Sequence, residues 1–121
     1  MKHILLIDDD VFIRDLVGTK LNNAKYTTAV AADSVEGDKM ISTQLPDLIL
    51  LDLDLPGEPG LEMLRRLKVS PETAHIPVVV FSNNDDPQVK QDIREAGAVD
   101  FYLKISIDMA ELEKKVDAIL V

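Results

Sequence analysis

Four short, largely apolar runs, each halted by a polar residue, restrict what this chain can become. They are Ile4 to Ile7 before Asp8-Asp9-Asp10, Leu48 to Leu51 before Asp52, Val78 to Phe81 before Ser82-Asn83-Asn84-Asp85-Asp86, and Val99 to Leu103 before Lys104. Runs this short suit strands better than helices. Because they are continuous instead of alternating, they predict strands buried on both faces. The clearest is Leu48 to Asp52, preceded by Pro46 and followed by the stop Pro56-Gly57, so Asp52 sits where its strand leaves the core. A carboxylate there is expensive to desolvate unless a cation meets it.

Helical stripes separate the runs. Val11 to Lys25 places Ile13, Leu16, Val17 and Leu21 on one face, with Asp10 as a candidate cap. After a weaker β-branched strand, Thr27 to Ala31, a helix from Ser34 to Leu45 is expected to bury Val35, Met40 and Ile41 and to stop at Pro46. The turn-forming Pro56-Gly57-Glu58-Pro59-Gly60 precedes a helix marked by Leu61, Leu64 and Leu67. Pro87 suits a first helical position, with Val89, Ile93 and Ala96 inward until Gly97, and Asp85-Asp86 read most simply as its cap. A last helix begins near Asp108, which forms a capping-box-like pair with Glu111, and buries Leu112, Val116, Ile119 and Leu120. Five strands alternating with five helices predict a parallel sheet covered on both sides. Right-handed crossovers then bring every strand's C-terminal end to one edge, where ligands of such sheets bind.

With 121 residues, 46% of them apolar, the chain suits one domain spanning 1–121 with an ordinary core. Its formal net charge of -9 argues against a nucleic-acid backbone or an anionic membrane as a direct partner, while basic or metal-bridged partners remain open. Without cysteine there is neither a disulfide framework nor a thiolate zinc site. The apolar run after Met1 is too short for a signal peptide and no segment could span a bilayer, so a soluble, cytoplasmic protein is expected.

Asp8, Asp9, Asp52, Ser82 and Lys104 all fall at strand C-terminal ends. Carboxylates gathered there would repel one another unless they shared a cation. An all-oxygen donor set suits Mg²⁺, and no histidine or cysteine lies in these segments to favour zinc. Lys104 would add a mobile positive charge, Ser82 a hydroxyl, and Asp52 a nucleophile able to form an aspartyl phosphate.

These residues resemble the receiver domain of two-component response regulators. The matching pieces are the acidic pair in Leu6-Ile7-Asp8-Asp9, the segment Pro46-Asp47-Leu48-Ile49-Leu50-Leu51-Asp52 with Pro56-Gly57 and Gly60, Ser82 after Phe81, and Lys104. The resemblance implies an α/β, flavodoxin-like, doubly wound sheet of five parallel strands in the order 2-1-3-4-5 with five helices. It implies that Asp52 accepts a phosphoryl group from a histidine kinase or phosphotransferase in a Mg²⁺-dependent reaction. Asp9 would hold the metal directly, Asp8 through water, Asp54 through its backbone carbonyl, and Asp52 beside them. Lys104 would contact the phosphoryl group, while Ser82 and Phe101 would act as switches. The output face would be the fourth helix, fifth strand and fifth helix, roughly Val89 to Val121, offered to a downstream protein, a fused output domain or a phosphorylation-dependent dimer. Such a domain promotes only its own phosphorylation and dephosphorylation and is not otherwise an enzyme.

The chain departs from the family pattern in three places. Ile105 stands where a cis proline commonly follows the lysine, and because a non-proline cis bond costs about 3 kcal/mol the Lys104–Ile105 bond is expected trans. Asn83 replaces the usual small residue after Ser82, and Asp54 adds an acid beside the acceptor.

Each residue has a plainer reading in isolation: Asp8-Asp9-Asp10 as a helix cap, Lys104 as a surface lysine, Ser82 as a loop hydroxyl, Phe101 as core, and His3 and His75 as structural. Joint placement favours the site for the first three. Two rival functions use the same residues. Asp52-Leu53-Asp54 resembles the nucleophile motif of haloacid-dehalogenase-like phosphatases, although that motif belongs on a first strand and here lies on a third. A receiver-like interaction module without phosphate turnover is the other, motivated by Ile105 and Asn83.

Overall fold

Hydrophobic residues on this chain's strands alternate between two cores. In the computed structural model, which describes residues 1–23, 25–106 and 108–120, the strands are β1 (Lys2–Ile7), β2 (Tyr26–Ala31), β3 (Leu48–Asp52), β4 (Val78–Ser82) and β5 (Asp100–Leu103). All neighbours pair in parallel, in the order β2-β1-β3-β4-β5. Ala24, in the expected first helix, and Ile107 and Val121, in the expected output region, lie outside the described residues.

Successive strand side chains point to opposite faces, so the continuous apolar runs feed both. Leu5, Ile7, Ile49, Leu51, Val78 and Val80 enter one core, which also takes in Ile41 of α2 (Ser34–Thr43), Met63, Leu64 and Leu67 of α3 (Gly60–Val69) and Ile93 of α4 (Pro87–Glu95). Ile4, Leu6, Leu48, Leu50, Val79 and Phe81 enter the other, against Ile13, Val17 and Leu21 of α1 (Val11–Leu21) and Leu112 and Val116 of α5 (Met109–Leu120). Two helices on one face and three on the other close a flavodoxin-like, doubly wound α/β sandwich.

Local chemistry moved several expected boundaries. The first helix ends at Leu21, not Lys25, because Asn23 Oδ1 accepts the N–H groups of Lys25 and Tyr26 at 2.8 and 3.3 Å and turns the chain into β2. The second ends at Thr43, not Leu45. Its last turn carries Ser42 and Thr43 hydroxyls bonded to the Lys39 carbonyl, and Pro46 disfavours a helical Leu45, which is exposed.

Val35 is 63% exposed, so the expectation that it is buried was wrong. The inward stripe of α2 is Ser34, Gly37 and Ile41, because only a small residue fits where the helix crosses β1: a Cβ on Gly37 would lie 2.9 Å from Ile7 Cδ1. The cap of α2 is Asp33, whose carboxylate accepts the Glu36 N–H. Val99 lies just outside β5 and is exposed, although its N–H still donates to the Val78 carbonyl.

Asp10 and Asp86 cap as expected, Oδ1 accepting from Phe12 N and Gln88 N, and Asp108 Oδ1 accepts from Ala110 N and Glu111 N; the expected pair with Glu111 is only half formed, because the Asp108 N–H donates to the Tyr102 hydroxyl at 3.0 Å. No described peptide bond is cis, as expected for Lys104–Ile105, and a 3-10 turn, Lys104–Ser106, follows β5.

Leu50 sits at the centre of β3 with no exposed surface. Leu50→Ala is expected to lower unfolding free energy by about 2–5 kcal/mol, whereas Val35→Ala on the open side of α2 should stay within about 0.5 kcal/mol of the parent. Urea denaturation of the two variants, with unchanged slope, checks this pair of values.

Candidate functional site

Three strands deliver their last side chains to the same edge of the sheet. β1 ends at Ile7, whose register partner on β3 is Leu51, so Asp8 and Asp52 leave neighbouring strands at the same level. β5 ends at Leu103, opposite Ser82 of β4, and Lys104 follows it. Asp8 and Asp52 are buried, Asp9 is exposed, and one ligand oxygen from each of the three lies within 4.8 Å of the others.

The Lys104 ammonium closes the group. Its Nζ lies 3.0 Å from Asp8 Oδ2 and 3.5 Å from Asp52 Oδ2, with 11% of the lysine side chain exposed. Three carboxylates against one ammonium leave an excess of two negative charges when all are ionised. Asp52 responds most. Burial first, then the Asp8 charge, pushes its carboxyl up to about 6, against the hydrogen bond from Asp54 N–H and the attraction of Lys104. Burial also works against the charge on Lys104. Its hydrogen bond to Asp8 and the pull of the two carboxylates outweigh that, holding it above its ordinary value and therefore protonated.

Backbone amides aim these side chains. Asp8 Oδ1 accepts from Asp10 N at 2.9 Å, Asp52 Oδ1 from Asp54 N at 3.1 Å, and Ser82 Oγ from Asn84 N at 3.0 Å. Each is a turn in which a side chain bonds its own backbone two residues on. In Asp52 this leaves Oδ2 as the oxygen facing Lys104. Gly60 holds the following loop against the strand end. A Cβ there would lie 2.1 Å from the Asp52 carbonyl oxygen, and the Gly60 N–H donates to the Leu53 carbonyl at 2.9 Å.

Asp8, Asp9, Asp52 and Lys104 therefore meet as the sequence predicts. Asp54 is exposed and touches the cluster through its N–H; Ser82 shares the edge but its hydroxyl is turned to its own loop. Phe101 is half-buried on β5, beneath the Lys90 ammonium at 5.3 Å from its ring centroid. It borders a cavity of about 240 Å³ between α4 and β5. His3 lies at the far end of β1, its ring bonded to Thr27 Oγ1, in keeping with a structural role.

Sequence reasoning missed the three turns, although a polar residue followed at the second position by another (Asp8 and Asp10, Asp52 and Asp54, Ser82 and Asn84) is a readable signal for them. It also missed Arg14, whose guanidinium donates to the Asp8 carbonyl at 3.3 Å.

The residues fit a hard divalent cation on two counts. The donor set is all oxygen, and Asp8 Oδ2 is a buried oxygen that accepts no hydrogen bond and has the Lys104 ammonium as its ion-pair partner. The arrangement brings together a buried carboxylate, an ammonium and an acidic pair that could bind a cation, the kinds of group that phosphoryl transfer to a side chain requires.

Comparison with known proteins agrees. The family model described as "Response regulator receiver domain" matches residues 4–117. The chain is 38% identical over 120 residues to the DNA-binding dual master transcriptional regulator RpaA of Synechocystis sp., covering 99% of this chain and 49% of RpaA. It is 34% identical over 101 residues to sporulation initiation phosphotransferase F of Bacillus subtilis, covering 84% of this chain and 80% of that protein. Against the chemotaxis response regulator CheY4 of Vibrio cholerae the TM-score is 0.90 at 25% identity, with 99% of each chain covered. The chain spans about half the length of RpaA and of the Pseudomonas aeruginosa phosphate regulon regulator PhoB.

The raised Asp52 value has a stability consequence. In the unfolded chain this carboxyl titrates near 3.8 and in the fold near 6, so the folded state binds the proton more tightly. Stability is therefore lost as pH rises from about 4 to about 6, and the loss stays constant above that range. Without divalent cations, Asp52→Asn should unfold with about 1–3 kcal/mol more free energy than the parent at pH 7.5, a gain that disappears near pH 4. Denaturation at the two pH values is the check, and a variant less stable at pH 7.5 would contradict it.

Proposed function

Since the chain belongs to the response regulator receiver family, the phosphoacceptor signalling domain of two-component systems, we propose that Asp52 is the residue that receives the phosphoryl group. The observation that carries this reading is the buried contact of Lys104 Nζ with both Asp8 and Asp52 at the strand ends. A solvated lysine or an ordinary helix cap has no reason to adopt it.

Asp9, Asp52 and the backbone carbonyl of Asp54 would hold Mg²⁺, with Asp8 supporting it through water. Mg²⁺, when bound, neutralises charge on the phosphoryl oxygens. Oδ2 of Asp52, the oxygen free of the backbone, attacks phosphorus. A P–O bond forms as the P–N bond of a phosphohistidine donor breaks, and the electron pair leaves on the imidazole nitrogen. Lys104, still protonated, pairs with a phosphoryl oxygen.

Ser82 then exchanges the Asn84 N–H for a phosphoryl oxygen, drawing in the loop that precedes α4. The space beside Phe101, between α4 and β5, lets the ring turn inward and biases the face formed by α4, β5 and α5. That face meets a downstream protein, a fused output domain or a second phosphorylated copy. The donor is a histidine kinase or a phosphotransferase. The domain spans 1–121, acts in the cytoplasm and catalyses only its own phosphorylation and dephosphorylation. No helix among the described residues is long and apolar enough to cross a membrane.

Intact-mass spectrometry with a small acyl phosphate tests the assignment. With Mg²⁺ the parent should gain one base-labile phosphoryl group, Asp52→Asn none, and Lys104→Ala should react at least about 100-fold more slowly. Omitting Mg²⁺ should abolish the gain. Turnover of many donor equivalents would instead indicate a phosphatase, and an unmodified parent would indicate a module without phosphate chemistry.

A further inference from the structure

The loop from Leu53 to Pro59 joins β3 to α3 and carries Asp54, and its two halves are held differently. The first half is fixed from inside: Leu53 N–H donates to the Phe81 carbonyl at 3.1 Å, Asp54 N–H to Asp52 Oδ1, and the Leu55 side chain is buried in the core. The second half, Pro56-Gly57-Glu58-Pro59, contains two residues without an N–H and a glycine at φ 75°. Pro59, at the start of α3, supplies no capping hydrogen bond.

Glu58 is the only side chain of this loop, among the described residues, that forms hydrogen bonds. Its carboxylate accepts from Arg66 Nε at 3.0 Å and from Arg66 Nη2 at 2.8 Å, the side-on fork with two parallel bonds. The same guanidinium reaches α2, with Nη1 at 3.2 Å from Asp38 Oδ1 and Nη2 at 3.1 Å from Asp38 Oδ2. Lone surface ion pairs contribute little, but a bidentate arginine shared by two acids is the arrangement that does contribute. It joins the loop to both neighbouring helices, α2 and α3.

We infer that Glu58, Arg66 and Asp38 form a clamp that positions the Asp54-bearing loop against the cation and phosphoryl site. The clamp touches no reacting atom; Glu58 and Arg66 are positioning residues, and their effect on the site rests on the reading of Asp52 and Asp54 given above. Releasing either partner loosens Pro56 to Glu58, whose remaining polar ties are the contact of Glu58 with Ser34 at the start of α2 and the Gly60 N–H bond to Leu53 where the loop ends. The strand end and Lys104 stay where they are.

The test uses the full chain with Glu58→Gln, Arg66→Met and the double variant, read by amide hydrogen exchange and by calorimetric Mg²⁺ titration. Exchange at Gly57 and Glu58 should quicken by at least about 5-fold in each single variant, with a smaller rise at Asp54 and Leu55 and no change in the strands. Mg²⁺ affinity should fall by about 3–10-fold, less than the roughly 10–100-fold typical of groups bonded directly to a metal ligand. The double variant should match the singles, because removing either partner already breaks the fork. Arg66→Lys, which keeps the charge without the fork, should recover only part of the loss. Loop exchange equal to the parent in both single variants, or effects that simply add in the double, overturns the clamp. A parent that binds no Mg²⁺ overturns the site reading instead, while the exchange measurement, made without cation, still decides the clamp.

Discussion

Lys104 set against two buried carboxylates is the contact on which the rest of this structure depends. Without the ammonium, Asp8 and Asp52 would be like charges withdrawn from water side by side, and the edge of the sheet could not close over them. With it, the excess negative charge is reduced but not cancelled, and Asp52 keeps a carboxyl that binds its proton more tightly than an ordinary aspartate. The fold therefore concentrates uncompensated negative charge at the edge of the sheet, where an added cation would lower its cost.

The sheet makes such a site possible because it is covered on both faces. Helices α1 and α5 on one side and α2, α3 and α4 on the other exclude water from the strands, so the only direction left for polar groups is the edge. Close approach at two glycines tightens the arrangement. Gly37 lets α2 settle on Ile7 directly behind Asp8, and Gly60 lets the loop after Asp52 fold back on the strand's own carbonyl. The positions of the carboxylates are thus set by backbone packing, and the i to i+2 turns of Asp8, Asp52 and Ser82 set their orientations.

Much of this was legible before any coordinates. Leu48 to Asp52 and Ile4 to Asp8 carry their burial in their composition, because a run of aliphatic residues has one way of avoiding water, and their acidic stops mark the edge. Strand order followed once the resemblance was recognised. Val35 and Val99 were misjudged for a shared reason. An apolar side chain does not announce whether a neighbouring element will cover it, and at α2 the small residues Ser34 and Gly37 took the inward stripe. The ends of α1 and α2 were also misplaced, because Asn23 and the residue before Pro46 redirect the chain through local bonds that hydrophobic spacing does not register.

Hydrophobic runs, their polar stops and the helical stripes between them determined the class of fold and the identity of the polar residues gathered at one edge of the sheet, since both depend on which side chains must leave water. Only the tertiary structure decided how those residues face one another. It turned Ser82 toward Asn84, brought Lys104 to Asp8 more closely than to Asp52, and joined Glu58 to Arg66 and Asp38 across two helices. Those outcomes depend on distances of a few ångströms between segments remote in the chain, where charge and hydrogen-bond energies change steeply and sequence spacing carries no information.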